Sequence, residues 1–293
     1  GARRLLARRQ RTAFQTGRRR GATSTRQEDF KPPSQEIKDM VMGVIRRWQK
    51  KPECGMWTKD CVKRYRAGDT MGLKKGPDEV FKSRTFPPGA EELFPDLKPG
   101  ELGSCAIVAA ADTVLGQGRG KEIDSHDTVF RYNGPIKKYS NDIGSKGDVY
   151  YWKMRSQERQ YGQEGQRASK FYMWKAPVKY YMFGSKAEFP KLTFHGKKIL
   201  WETSLSTELA AVYPAYQKET RGRGQRHAAS GGFKLALSIL SSGLCKRVDM
   251  YGYSAAGTGR YFKDALVNTV HVIGLEHWVY RQAMEAGMVC IYN

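Results

Sequence analysis

Two spacings of apolar residues run along the chain, and each predicts a different kind of element. Ile37, Met40, Val41, Val44, Ile45 and Trp48 recur at three and four, one face of a helix, with Ser34 placed as its N-cap and Glu36 just inside it. Beyond Pro99-Gly100 the apolar residues gather instead into short flat runs, at 106–111, 128–130, 149–152, 171–174, 180–183, 198–201, 248–251 and 288–291. Their β-branched and aromatic content predicts strands buried in a sheet. Helices are predicted between them, over 205–218 and from Ser230 to Gly243. Strands alternating with helices predict an α/β domain. Residues 50–100, rich in Pro and Gly with little periodicity, are expected to form loops.

The polar residues between these runs carry the candidate chemistry. Gly116, Gly118 and Gly120, then the turn Asp124-Ser125-His126-Asp127, separate the runs at 106–111 and 128–130, and the second run ends in Arg131-Tyr132-Asn133. A strand, a glycine-rich connection and a second strand with polar residues at its end can hold a phosphate-bearing ligand over a sheet. The first glycine follows Val108 by eight residues, too late for the tight turn of a dinucleotide-binding fingerprint. Ser230 opens a helix whose first turn is Gly231-Gly232, which leaves backbone N–H groups for an anion, although a capped core helix feeding a strand has the same pattern. His271 stands five positions before Glu276, and His271 and His277 lack the i,i+4 spacing of a metal pair.

Composition narrows the classes. A chain of 293 residues with 40% hydrophobic and 12% aromatic content is globular, and no window has the roughly 18 consecutive apolar residues of a membrane span. The formal charge is +22; residues 1–30 hold nine Arg against Glu28 and Asp29, a net of 9 − 2 = +7, which leaves 22 − 7 = +15 on residues 31–293. Residues 1–33 are therefore expected to be a basic flexible tail or stem, with a weak likeness to an Arg-rich transit peptide. The basic remainder fits an anionic substrate, a membrane surface, nucleic acid or plain solubility. No zinc-finger spacing, basic zipper or aromatic RNP-type strand favours nucleic acid. The five cysteines, Cys54, Cys61, Cys105, Cys245 and Cys290, include no C-x-x-C pair, so zinc is not expected. The chain starts with Gly, so it is expected to be a fragment, with an N-terminal anchor or signal left open.

The motifs taken together resemble those of the eukaryotic sialyltransferases, glycosyltransferase family 29. Cys105, the apolar strand after it, Gly116, Gly120, Glu122-Ile123-Asp124-Ser125-His126-Asp127, Arg131-x-Asn133 and Asp142-Ile143-Gly144-Ser145-Lys146 match the large sialyl motif without a gap. Ser230-Gly231-Gly232 through Cys245, and Val248-Asp249-Met250-Tyr251-Gly252-Tyr253, are similar to the small motif. Tyr261-Phe262 stands at the third motif, and His271-x4-Glu276 has the spacing of the very small motif. The resemblance covers about residues 100–280.

What the resemblance implies is concrete. The fold would be a variant GT-A, Rossmann-like single domain, 34–293, with a mostly parallel central sheet flanked by helices and with 34–99 packing on it as a helix and loops. The activity would be an inverting, metal-independent transfer of sialic acid from CMP-sialic acid to a glycan hydroxyl in glycoprotein biosynthesis, with no cofactor. His271 would be the base, where an ordinary imidazole pKa near ~6.5 suits the role. Glu276 would orient that region. Asn133, Ser230, Gly231, Gly232 and Tyr261 would bind the CMP-sugar. Cys105 and Cys245 would be joined, which places the protein in the Golgi lumen, a single-pass type II membrane protein at full length. Cys290 would pair with Cys54 or Cys61. The partners would be the CMP-sugar and a glycan acceptor, not nucleic acid.

The departures from the family pattern cluster near the sugar donor. Where many relatives have Gly-Asn-Ser-Gly-Asn, this chain has Ala109-Ala110-Ala111-Asp112-Thr113. Ala110 lacks the amide expected there, and Asp112 adds a negative charge. Arg260 replaces the third motif's His and would stabilise the departing phosphate as a permanent cation. The helix from Gly232 to Cys245 is about two residues longer than the usual spacing. These departures open three alternatives: transfer of a related 2-keto acid sugar from a CMP-Kdo type of donor, a catalytically impaired sialyltransferase-like binding protein, and a basic nucleic-acid-binding α/β protein.

Overall fold

The computed structural model describes residues 30–73, 76, 90–132, 137–152, 179–183, 198–220, 228–254, 257, 259–260 and 271–293. The predicted strand at 171–174, Asn133 and Tyr261-Phe262 lie outside them. Lys31–Asn293 form one compact unit.

Its centre is an eight-stranded sheet in the order β1-β6-β5-β4-β3-β2-β7-β8. The strands are β1 (Met56–Trp57), β2 (Ser104–Val108), β3 (Thr128–Tyr132), β4 (Val149–Trp152), β5 (Tyr180–Phe183), β6 (Lys198–Glu202), β7 (Arg247–Tyr251) and β8 (Cys290–Tyr292). All neighbours pair in parallel except β1 with β6. The expected α/β architecture with a mostly parallel sheet is therefore present. Ala106, Ile107 and Val108 of β2 are all buried, as they are on a strand covered on both faces, which is why these strands appear as unbroken apolar runs. Strands β2 to β6 are laid down in one direction, and β7 and β8 then fall on the other side of β2. The order reverses between β2 and β7, and in open parallel sheets ligands bind beyond the carboxyl ends of the strands at such a switch point.

Helices cover the sheet: α1 (Gln35–Lys50), α2 (Lys59–Arg66), α3 (Gly120–Asp124), α4 (Ser140–Ile143), α5 (Ser206–Ala210), α6 (Val212–Glu219), α7 (Gly231–Ser242) and α8 (Ile273–Glu285). The predicted face of α1 is buried at Ile37, Val41, Val44, Ile45 and Trp48, while Met40 stays exposed. Ser34 Oγ accepts from the Ile37 N–H, as expected of the cap. The single helix predicted over 205–218 is instead two, α5 and α6, with a turn at Ala211. Pro214 explains the break, because its ring would meet the carbonyl of residue 210 in a continuous helix and is tolerated only in a first turn. At the far end of α7, Gly243 has φ of +60°, and a Cβ there would stand 2.3 Å from Pro52 Cβ. β1 and α2 lie within the region expected to be loops.

Most of the polar residues between β2 and β4 are structural. Asp124 accepts from the Ser145 N–H, the Ser145 hydroxyl and the Lys146 N–H. Asp127 accepts from the N–H and hydroxyl of Ser104, both at 2.8 Å. Buried Arg131 donates to the carbonyls of Ile143 and Lys146. His126 lies between α3 and β7, with Nε2 2.8 Å from Asp249 Oδ2 and Nδ1 3.1 Å from the Glu122 carbonyl. The glycine-rich connection is no phosphate cradle at Gly118, whose N–H donates to Asp142 at 2.9 Å.

Two disulfides are formed, Cys105–Cys245 and Cys54–Cys61, and Cys290 is an exposed free thiol. The expected pairing of Cys290 with Cys54 or Cys61 is therefore wrong. Cys54 precedes β1 and Cys61 lies in the first turn of α2, so the turn between these elements brings the two together, with Cα atoms 5.9 Å apart. Among the described residues no helix is long and apolar enough to cross a membrane.

Candidate functional site

Residues 228–230 are held from two directions by the start of α8. Ser230 caps α7, its hydroxyl oxygen accepting from the Phe233 N–H at 3.0 Å. The same hydroxyl donates to Glu276 Oε2 at 2.6 Å, and the Ser230 N–H donates to Glu276 Oε1 at 2.7 Å. Two residues earlier, the Ala228 carbonyl faces His271 Nδ1. A carbonyl only accepts, so Nδ1 carries the hydrogen and the neutral ring keeps its lone pair on Nε2. His271 is partly exposed while Glu276 is 3% exposed. The sequence thus places the expected base, its orienting carboxylate and the anion-binding turn in one cluster.

Glu276 has no cationic partner among the described residues; its contacts are the two Ser230 groups and the Tyr213 hydroxyl. Burial raises its pKa from 4.5 to about 7, outweighing the hydrogen bonds that favour the anion. Its neighbour His277 moves the other way, held down to about 4 by burial and by Arg281. These shifts have opposite signs in stability. Between about 4.5 and 7 folded Glu276 holds a proton that the unfolded chain releases, so its contribution is lost as pH rises through that window. Between about 4 and 6.5 folded His277 is neutral where the unfolded chain is protonated, so stability rises with pH. Each is worth about 3 kcal/mol over its window, and together they nearly cancel. In melts from pH 4.5 to 7, Glu276→Gln should become more stable as pH rises and His277→Gln less stable. Parallel curves for the two variants would contradict this account.

The end of β3 reaches the same turn. A Cβ on Gly231 would stand 2.3 Å from the Tyr132 hydroxyl, so only glycine lets the phenol lie against the start of α7. Tyr132 therefore covers Gly231, and a ligand would meet the turn at Gly232, where a Cβ would meet only Ser230 Oγ, 3.8 Å away. The first turn of α7 carries no acidic residue of its own, and the carboxyl at its N-terminus is that of Glu276, accepting from the Ser230 N–H and hydroxyl.

At the switch point, Ala111 pairs with Arg260 in an antiparallel bridge, and the Asp112 N–H donates to the Gly259 carbonyl at 3.1 Å. A Cβ on Gly257 would lie 3.4 Å from Asp112 Oδ1. Ala110 packs against the core instead of presenting a polar group. The Arg260 guanidinium has its pKa lowered by burial and raised in part by Tyr132. Tyr132 thus lies against Gly231 and close enough to Arg260 to act on its charge. Buried Tyr253 lies beyond it, its hydroxyl without a hydrogen-bond partner among the described residues and its pKa raised by burial, Tyr132 and Glu276. Neither Tyr132 nor Tyr213 stood out in the sequence. Tyr132 occupies the unspecified position of Arg131-x-Asn133, and Tyr213 lies where no motif reaches.

Cys105 and Cys245 stand elsewhere, at the amino ends of β2 and β7, whereas the site residues follow the carboxyl ends. The bridge therefore ties the amino ends of the two strands together and does not line the site.

Comparison with known proteins identifies the family. Residues 56–287 match the sequence profile of glycosyltransferase family 29 (sialyltransferase). Human beta-galactoside alpha-2,6-sialyltransferase 2 is 47% identical over 109 residues, 35% of this chain and 20% of that protein. The rat protein of the same name is 38% identical over 81 residues, 27% of this chain and 15% of that protein. The matched stretches thus span a small part of these relatives. A crystal structure of a mammalian sialyltransferase aligns at 17% identity and a TM-score of 0.42, covering 89% of this chain and 86% of that one. With the profile matched over most of its length, the chain belongs to glycosyltransferase family 29, the sialyltransferases.

Proposed function

We propose that this protein transfers sialic acid from CMP-sialic acid to a glycan hydroxyl, with inversion and without a metal ion. The observation that carries the reading is the double anchoring of residues 228–230 by His271 and Glu276. His271 Nε2 takes the proton of the acceptor hydroxyl, whose oxygen forms a bond to the anomeric carbon as the bond to the CMP phosphate oxygen breaks. The bonding pair leaves with CMP, and a single displacement from the opposite face inverts the centre. The N–H groups at the start of α7 and the Arg260 guanidinium stabilise the negative charge on the departing phosphate. Both disulfides call for an oxidising compartment, consistent with the Golgi lumen.

A second reading, transfer of a related 2-keto acid sugar such as Kdo, is favoured by Asp112 beside the Ala111–Arg260 bridge and by the apolar Ala110. Turnover with CMP-sialic acid and with CMP-Kdo on mixed glycans separates the two. Acceptors ending in β-galactoside come first, because the human and rat relatives carry that specificity in their names. Thermal shifts with CMP and with RNA accompany the assay. CMP should stabilise the protein and CMP-sialic acid should turn over. Turnover of CMP-Kdo alone selects the second reading, CMP binding without turnover of either sugar indicates an impaired enzyme, and a salt-sensitive response to RNA alone defeats the transferase reading.

A further inference from the structure

Tyr213 is 4% exposed on α6. Its hydroxyl donates to Glu276 Oε1, the oxygen that also accepts from the Ser230 N–H. Its ring meets Phe233 edge-on, with centroids 6.2 Å apart and planes at 76°. The Phe233 N–H is the group that Ser230 caps. Tyr213 therefore reaches the first turn of α7 by two routes, through Glu276 and through Phe233.

Its own placement is well supported. The break at Ala211 forced by Pro214 starts α6 just before Tyr213. Further along α6, the Tyr216 hydroxyl donates to the Lys31 carbonyl at 2.9 Å, and Glu219 accepts from the Ser34 N–H at 3.1 Å. The helix that carries Tyr213 is thus braced on the segment that starts α1. The other polar groups facing Glu276 are the Ser230 N–H and hydroxyl and the phenols of Tyr253 and Tyr280.

We propose that Tyr213 is a positioning residue for the sugar-donor turn: its hydroxyl fixes the Glu276 carboxylate, which fixes the backbone and side chain of Ser230. A buried carboxylate with only neutral donors is costly as a structural filler, and its geometry depends on each donor that remains. Loss of the Tyr213 hydroxyl leaves Glu276 Oε1 held by the Ser230 N–H alone, so the carboxylate can rotate and carry the N–H groups of the turn with it. The proposal rests on the transferase reading for its kinetic form.

The test is a cycle of Tyr213→Phe, Glu276→Met and the double variant, in steady-state kinetics and CMP calorimetry with melting curves alongside. Tyr213→Phe keeps the ring and its contact with Phe233. It should lower kcat/KM for the CMP-sugar about tenfold and weaken CMP binding, leaving the KM for the glycan acceptor unchanged. In the Glu276→Met background, where no side-chain oxygen remains to accept from Tyr213, it should have no further effect. A Tyr213→Phe enzyme with a lower Tm but wild-type kcat/KM per folded molecule has lost only packing, and that result overturns the proposal. So does an equal loss in both backgrounds. If wild type binds CMP without turnover, the transferase reading fails alone and the cycle is read in CMP affinity, where an unchanged Tyr213→Phe overturns the proposal. Wild type that binds no CMP overturns both.

Discussion

His271→Ala is expected to lower sugar transfer by about 10²- to 10⁴-fold, the range for loss of a positioned general base, while CMP still stabilises the protein. Sugar-donor binding survives because the groups assigned to the departing phosphate, the start of α7 and Arg260, are not on the imidazole. The rate falls because the acceptor hydroxyl loses the group proposed to take its proton. The Ala228 carbonyl holds Nδ1–H and so places the lone pair on Nε2. Residue 228 belongs to the same short segment as Ser230, so base and phosphate site move together. His271→Asn separates orientation from basicity: its amide can keep a hydrogen bond to the Ala228 carbonyl yet accepts no proton, and it should be as slow as alanine. Full CMP release by His271→Ala in the presence of acceptor would remove His271 as the base.

How much of this was legible in the sequence differs between fold and site. The strands stood out because a parallel strand buried on both faces is an unbroken apolar run, as Ala106, Ile107 and Val108 are. Helix α1 stood out because only one of its faces is buried. β1 did not, since Met56 and Trp57 form a strand only by pairing with β6, more than a hundred residues later. The break at Ala211 was visible in principle at Pro214, and the apolar spacing masked it. At the site, Ser230 and Glu276 are 46 residues apart, so their contact was reachable only through the family resemblance. The same resemblance marked Cys105 and Cys245 but not where they act, and it said nothing of Tyr132 or Tyr213. Their roles come from tertiary neighbours, Gly231 in one case and Glu276 in the other. Local composition does not record such neighbours.

Removing the Cys105–Cys245 bridge by a double substitution to Ser should cost about 5 kcal/mol on chain-entropy grounds, because the bridge closes a sequence separation of 140 residues. The melting temperature should fall on the order of 10 °C. The Cys54–Cys61 bridge, with a separation of 7, should cost about half as much when removed the same way. Activity is expected to follow a different rule. The long bridge lies at the amino ends of β2 and β7, and the two strands remain paired from Cys105 with Val248 to Val108 with Tyr251 once it is gone. That pairing, not the sulfurs, carries Ala109 to Asp112 and Gly252 to their places at the switch point. Well below its lowered melting temperature, the Cys105→Ser, Cys245→Ser protein should therefore keep nearly wild-type CMP affinity and kcat per folded molecule. Calorimetry gives the first quantity and a turnover assay with active-site counting gives the second. Loss of CMP binding by a variant that is still folded would mean that the bridge shapes the sugar-donor site directly, and that strand pairing alone does not hold the two halves in register.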